Sequence, residues 1–78
     1  MADKFIAEAG LGALAKDFRE AAAVSRAQAA RDCGVARPTI FYAEEEPERG
    51  LHKLRKQMIE RYSEYEVIGP VYLLRKRR

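Results

Sequence analysis

The chain is predicted to fold as one mainly α domain of four helices followed by a C-terminal β-strand. Three observations in its 78 residues carry that prediction. First, Leu11, Leu14, Phe18 and Ala22 recur at i, i+3, i+7 and i+11, and Leu51, Leu54, Met58 and Tyr62 repeat that interval further on. Each set is one apolar stripe of a helix. Second, Gly34, Pro38, Pro47 and Gly50 divide the stretch between the stripes into two short helices and two turns. Third, Val67, Ile68, Val71, Tyr72, Leu73 and Leu74 are β-formers crowded into the last turn of sequence.

The first helix follows from its stripe, with Lys16, Asp17, Arg19 and Glu20 placed outside it. Gly10 and Gly12 blur its start, so residues 3–9 are read as an extra helical turn or a loose arm. Ser25 is a good N-cap, because its hydroxyl can accept a hydrogen bond from an early amide of the next helix. The alanine-rich run Arg26–Cys33 forms that helix, and Gly34 ends it in the left-handed conformation that a glycine adopts at least cost. Val35 and Ala36 make a tight turn. Pro38 then fits the first turn of a third helix over Arg37–Glu45, where its missing N–H costs nothing. The run Glu44-Glu45-Glu46-Pro47-Glu48-Arg49-Gly50 is a loop by composition, and Glu44, Glu45, Glu46 and Glu48 are read as a solvated rim. The fourth helix spans about 50–63, with Arg55, Lys56 and Arg61 expected on its solvent side. Gly69-Pro70 interrupts the β-forming tail. It is either a bend in one edge strand or the turn of a small hairpin, and an extended, kinked strand is the preferred reading. The organisation is therefore 1–10 as an arm, 11–63 as the helical domain, and 64–78 as a strand with a basic tail.

Composition bounds what such a chain does. Cys33 is the only cysteine, so no internal disulfide forms, and it is expected as a small buried residue under the turn. One cysteine and one histidine, His52, fall short of the four ligands of a structural zinc site. No cofactor is expected. No apolar run approaches the roughly 20 residues that span a bilayer. The N-terminus lacks the apolar run of a secretory signal, which points to the cytoplasm. Residues 1–46 hold six Lys/Arg and eight Asp/Glu, a net −2, while residues 47–78 hold nine and four, a net +5, and together they give the overall +3. The basic weight at the C-terminal end, closing in Arg75-Lys76-Arg77-Arg78, favours a polyanion partner. Ser25 has no neighbouring base, and there is neither a glycine-rich phosphate loop nor a paired-carboxylate pocket, so an enzyme is not expected.

Residues 25–44 have the layout of a helix-turn-helix. Ala30 is small where a second helix crosses closely, Gly34 supplies the turn, Val35 drops beneath it, and Ile40 with Ala43 faces inward from the second helix. The chain here resembles the lambda-repressor-like helix-turn-helix domains, in particular the Cro and xenobiotic-response-element type. The family run S-Q-x-x-L-A-x-x-x-G-V-S-x-x-T-I-x-x-x-E is met by Ser25, Ala30, Gly34, Val35, Thr39, Ile40 and Glu44. It is departed from at Arg26 (glutamine in the pattern), Ala29 (leucine) and Ala36 (serine). The resemblance covers about residues 11–62 and is strongest over 24–44.

The resemblance implies a recognition helix at about residues 37–45 lying in the major groove of double-stranded DNA. On that reading Arg37, Pro38, Phe41 and Tyr42 meet base edges, Arg37 as a bidentate donor to guanine and the others against thymine methyls. Either Phe41 or Tyr42 is expected to turn inward. Ser25, Arg26, Thr39, Arg49, His52 and Lys53 are the phosphate candidates. The tail strand has no evident partner within the chain, so it is expected to pair antiparallel with a second copy through Val67, Ile68, Val71, Tyr72 and Leu73. A homodimer would then span two half-sites of a palindromic operator, about 34 Å apart. The implied function is transcriptional repression without a small-molecule effector, in the manner of phage, plasmid or other mobile-element regulators. The alternative is an antitoxin-type autoregulator whose C-terminal segment binds a protein partner.

Overall fold

A computed structural model describes residues 4–5, 7–69 and 73–77. The order of elements is β1 (Lys4–Phe5), a 3-10 turn (Glu8–Gly10), α1 (Leu11–Ala21), α2 (Arg26–Cys33), α3 (Arg37–Glu45), α4 (His52–Tyr62), β2 (Tyr65–Ile68) and β3 (Leu73–Lys76). The fold is mainly helical with a small antiparallel sheet, and α3 begins and ends at the residues expected from sequence.

Local chemistry explains the helix boundaries. α1 closes at Ala23, a non-glycine residue with φ 58°, where the Val24 amide reaches back to Arg19 O at 3.1 Å. Ser25 Oγ caps α2 by accepting from the Gln28 amide at 3.0 Å. Gly34 closes α2 with φ 70° and ψ 35°, the left-handed conformation predicted for it. Pro38 occupies the first turn of α3, whose N-cap, Ala36, offers no side-chain acceptor. The loop expected over 44–50 is shorter at its start, since Glu44 and Glu45 belong to α3, and residues 46–51 separate α3 from α4.

One core joins all the main elements. Leu11 and Ala15 of α1, Ala29 and Ala30 of α2, Ile40 and Ala43 of α3, and Leu54, Met58 and Ile59 of α4 are buried together with Val67 and Leu74 of the sheet. α1 packs against both α3 and α4. The α1–α3 crossing is so close that a Cβ built on Gly12 would stand 2.4 Å from Ala43 O. Only a glycine fits there. Cys33 and Val35 are half-buried against this core beneath the α2–α3 turn, so Cys33 is less enclosed than predicted.

Three charged residues assigned to solvent lie inside the fold. Arg19 is 6% exposed, Glu44 5% and Arg55 1%. Each follows an apolar residue by four positions or a multiple of four: Arg19 follows buried Leu11 and Ala15, Glu44 follows buried Ile40, and Arg55 follows half-buried Leu51. They therefore sit on the inward stripe rather than opposite it. Burial is tolerated because each ionic group is paired or hydrogen-bonded.

The tail is a second correction. It is not one kinked strand awaiting another chain. β2 and β3 form an antiparallel pair, with Val67 opposite Leu74 and Tyr65 opposite Lys76. β3 is the middle strand, since β1 pairs on its other side, Lys4 opposite Leu74 and Phe5 opposite Leu73. The premise of a lone strand therefore fails. Val67, assigned to a dimer interface, is 3% exposed within the chain's own core. Ile68 is half-buried on β2, and Leu73 is placed in β3 by its backbone register. Val71 and Tyr72 lie outside the described residues.

Candidate nucleic-acid interface

α3 is held from its inner side at three points. Along its length, Ile40 and Ala43 are buried against α1. Near its C-terminal end, the Glu44 carboxylate is fully enclosed and gathers two guanidinium groups. Arg19 donates Nε to Oε2 at 2.5 Å and Nη2 to Oε1 at 3.0 Å, and Arg26 donates Nε to Oε1 at 2.8 Å. Arg19 also donates Nη1 to Val24 O at 2.7 Å, so one side chain joins α1, the α1–α2 connection and α3. Paired, forked hydrogen bonds of this kind fix angle as well as distance. The Glu44 bond holds the Arg19 guanidinium pKa above its ordinary value.

The third point is Arg55. From α4 it donates Nε to Ala43 O, Nη1 to Arg49 O and Nη2 to Glu46 O, each at 2.8 Å. These carbonyls include the exposed end of the α3 hydrogen-bond ladder, where the helix dipole is negative and a cation is favoured. One buried side chain thus caps α3 and shapes the loop that carries Arg49.

The outer side of α3 is differently made. Arg37 and Pro38 are exposed at its first turn, and Phe41, 42% exposed, is the one exposed large hydrophobic among the described residues. The Arg37 side chain has no hydrogen-bond or ion-pair partner among the described residues. Neither aromatic turns fully inward, contrary to expectation, and Tyr42 is half-buried. Their rings meet edge to face, centroids 5.9 Å apart. Arg26 lies over Phe41 at 5.0 Å and Arg49 over Tyr42 at 4.0 Å. The result is a ribbon of guanidinium, ring, ring and guanidinium along one surface, held by cation–π contacts.

The phosphate candidates divide. Arg26 is engaged within the fold: its guanidinium bonds Glu44 and, through Nη2 at 2.9 Å, Glu45, which also receives Lys16 Nζ at 2.7 Å. Glu45 is therefore paired rather than a free rim charge, and the Lys16 bond pulls its pKa below the ordinary range. Arg49 donates Nε to Glu46 Oε1 at 2.7 Å, leaving its other guanidinium nitrogens toward solvent. Ser25 is exposed with its oxygen spent on the cap, and Thr39 is half-buried. His52 and Lys53 are exposed at the start of α4.

Sequence reasoning missed Arg19 and Arg55 as the residues that orient α3. It also missed the Asp32 contact behind α2, where Tyr62 donates its hydroxyl to Oδ2 and Gln28 its amide to Oδ1, both at 2.7 Å. These bonds lower the Asp32 pKa, the Tyr62 bond most. Burial, then the same bond, raises the Tyr62 hydroxyl. Among the described residues no helix is long and apolar enough to cross a membrane. Comparison with known proteins finds no matching family model, curated protein or solved structure.

Proposed function

We propose that this chain is a sequence-specific DNA-binding protein of the lambda-repressor-like helix-turn-helix type, with α2 and α3 as the motif, and that it acts as a transcriptional repressor. One observation carries the reading. α3 is fixed from behind by Glu44, Ala43 and the Arg55 cap, while its outer face presents an unpaired arginine, a proline and an exposed phenylalanine. A helix that meets base edges needs that combination of rigid backing and uncovered donors. In such a pose Arg37 donates to guanine O6 and N7, and Phe41 rests on a thymine methyl.

The paired sheet alters the mode of assembly. Two copies on a palindrome would have to meet through a surface other than a lone strand, and the protein-partner alternative loses the same free strand. Selection of bound duplexes from a random library tests the function. An enriched motif supports it, and its half-site spacing reports the number of copies. Salt-sensitive binding with no enriched motif would overturn sequence-specific recognition.

A further inference from the structure

The outer face of α4 extends the basic residues at the start of that helix along its length. Lys53, Lys56, Gln57 and Arg61 line one shallow open groove together with Glu60. Lys53, Lys56, Gln57 and Arg61 are all exposed. Lys53, Gln57 and Arg61 follow one another at intervals of four, so they form a row along one side of the helix, and Lys56 stands beside it. Lys53, Lys56 and Arg61 have no ion-pair or hydrogen-bond partner among the described residues. The acid in the groove, Glu60, directs Oε2 to the Val67 amide at 2.9 Å and so ties α4 to β2. From Lys53 to Arg61 the row covers roughly 12 Å, at about 1.5 Å per residue.

The type of partner follows from what the face lacks. No exposed apolar side chain stands on it, the one exposed large hydrophobic of the described residues being Phe41 on α3. A protein interface has a desolvated apolar core, and a membrane-surface helix has an apolar side to immerse. This face has neither. A linear array of unpaired cations suits a linear array of phosphates, where the gain comes from releasing condensed counterions and needs no apolar contact.

We propose that the outer face of α4, through Lys53, Lys56 and Arg61, is a sequence-independent surface for the sugar-phosphate backbone of duplex DNA. The inference rests on the DNA-binding reading and extends it. It moves the electrostatic contribution away from Arg26, whose charge is already paired within the fold, to the full length of α4.

The test is the salt dependence of binding to a duplex of random sequence. Three chains are compared: the wild type, the Lys53→Ala/Lys56→Ala/Arg61→Ala variant, and a Arg31→Ala/Arg75→Ala/Lys76→Ala variant with the same change in net charge elsewhere. All six positions are exposed, and circular dichroism verifies the fold of each variant. Each phosphate contact contributes about 0.9 to the log–log slope, so three contribute about 2.7. Between 50 and 200 mM salt the wild type should therefore lose about 40-fold more affinity than the α4 variant. The control variant should keep a slope close to wild type. Equal slopes for the two variants, or an unchanged slope in the α4 variant, would overturn the proposal. If the wild type still selects a motif in that case, the α4 inference falls alone. A wild type that binds no duplex overturns both readings.

Discussion

Replacing Arg55 with methionine isolates what its guanidinium contributes. Methionine keeps an unbranched side chain in the core and removes all three donors. Ala43 O, Glu46 O and Arg49 O then lose partners that stand at 2.8 Å. A buried carbonyl left unsatisfied costs about 1–3 kcal/mol. The Ala43 contact is buried and the other two partly so, which places it near the top of that range and them near or below the bottom. Relief from burying a cation offsets part of the sum. The expected loss is about 3 kcal/mol. For a domain of this size that lowers Tm by about 12–24 °C. Thermal unfolding followed by circular dichroism measures it. A fall of less than about 4 °C would mean that water or a shifted loop satisfies those carbonyls, and that Arg55 does not fix the end of α3.

Two further outcomes follow from the same geometry. Ala23→Gly should stabilise the fold by about 0.5–1 kcal/mol, because Ala23 holds φ 58° and glycine adopts that conformation without the Cβ penalty. The Tm should rise by about 2–8 °C, and a fall would contradict the left-handed close of α1. Asp32 should contribute to acid sensitivity. Its pKa is lowered in the fold by Tyr62 and Gln28, so the unfolded chain takes up its proton at higher pH than the folded chain does. That stability is present above the ordinary carboxylate range and is lost as pH falls through the lowered value. Urea midpoints at pH 6, 4 and 3 should therefore drop further for wild type than for Asp32→Asn, and parallel declines would exclude the contribution.

The parts legible in sequence were those set by neighbours a few residues apart. The Ser25 cap, the Gly34 turn and Pro38 at the head of α3 each depend on local spacing and were found where expected. The apolar stripes were met in part: Leu11, Leu54 and Met58 are buried and Leu14, Phe18, Leu51 and Tyr62 half-buried, but Ala22 is exposed beyond the end of α1, and Ala15 and Ile59 join the core instead. The parts that escaped depend on distant partners. Arg19 finds Glu44 at a separation of 25 residues, and Arg55 finds Ala43 at 12. A charged residue on an apolar stripe reads as solvent-facing until its partner is known. The positions themselves held a signal, since Arg19 and Arg55 stand four residues beyond Ala15 and Leu51, and Glu44 four beyond Ile40, each a buried or half-buried apolar residue. The sheet was hidden for the same reason. Gly69-Pro70 left a hairpin open, but nothing near it in sequence indicated that Lys4 and Phe5 would pair on the far side of β3. At the candidate interface, the exposed Arg37 was anticipated, whereas Phe41 and Tyr42 were expected to divide, one inward and one outward, and neither is fully buried. The withdrawal of Arg26 into ion pairs was not anticipated, because it depends on where Glu44 comes to lie.

The most direct test of the central claim is to repeat the random-duplex selection with Arg37→Ala. Recognition of a guanine by that side chain predicts that preference relaxes at one base pair of each half-site, by about 1–3 kcal/mol or roughly 5- to 150-fold, while the rest of the motif persists. A motif unchanged at every position by Arg37→Ala would contradict base reading by the exposed face of α3.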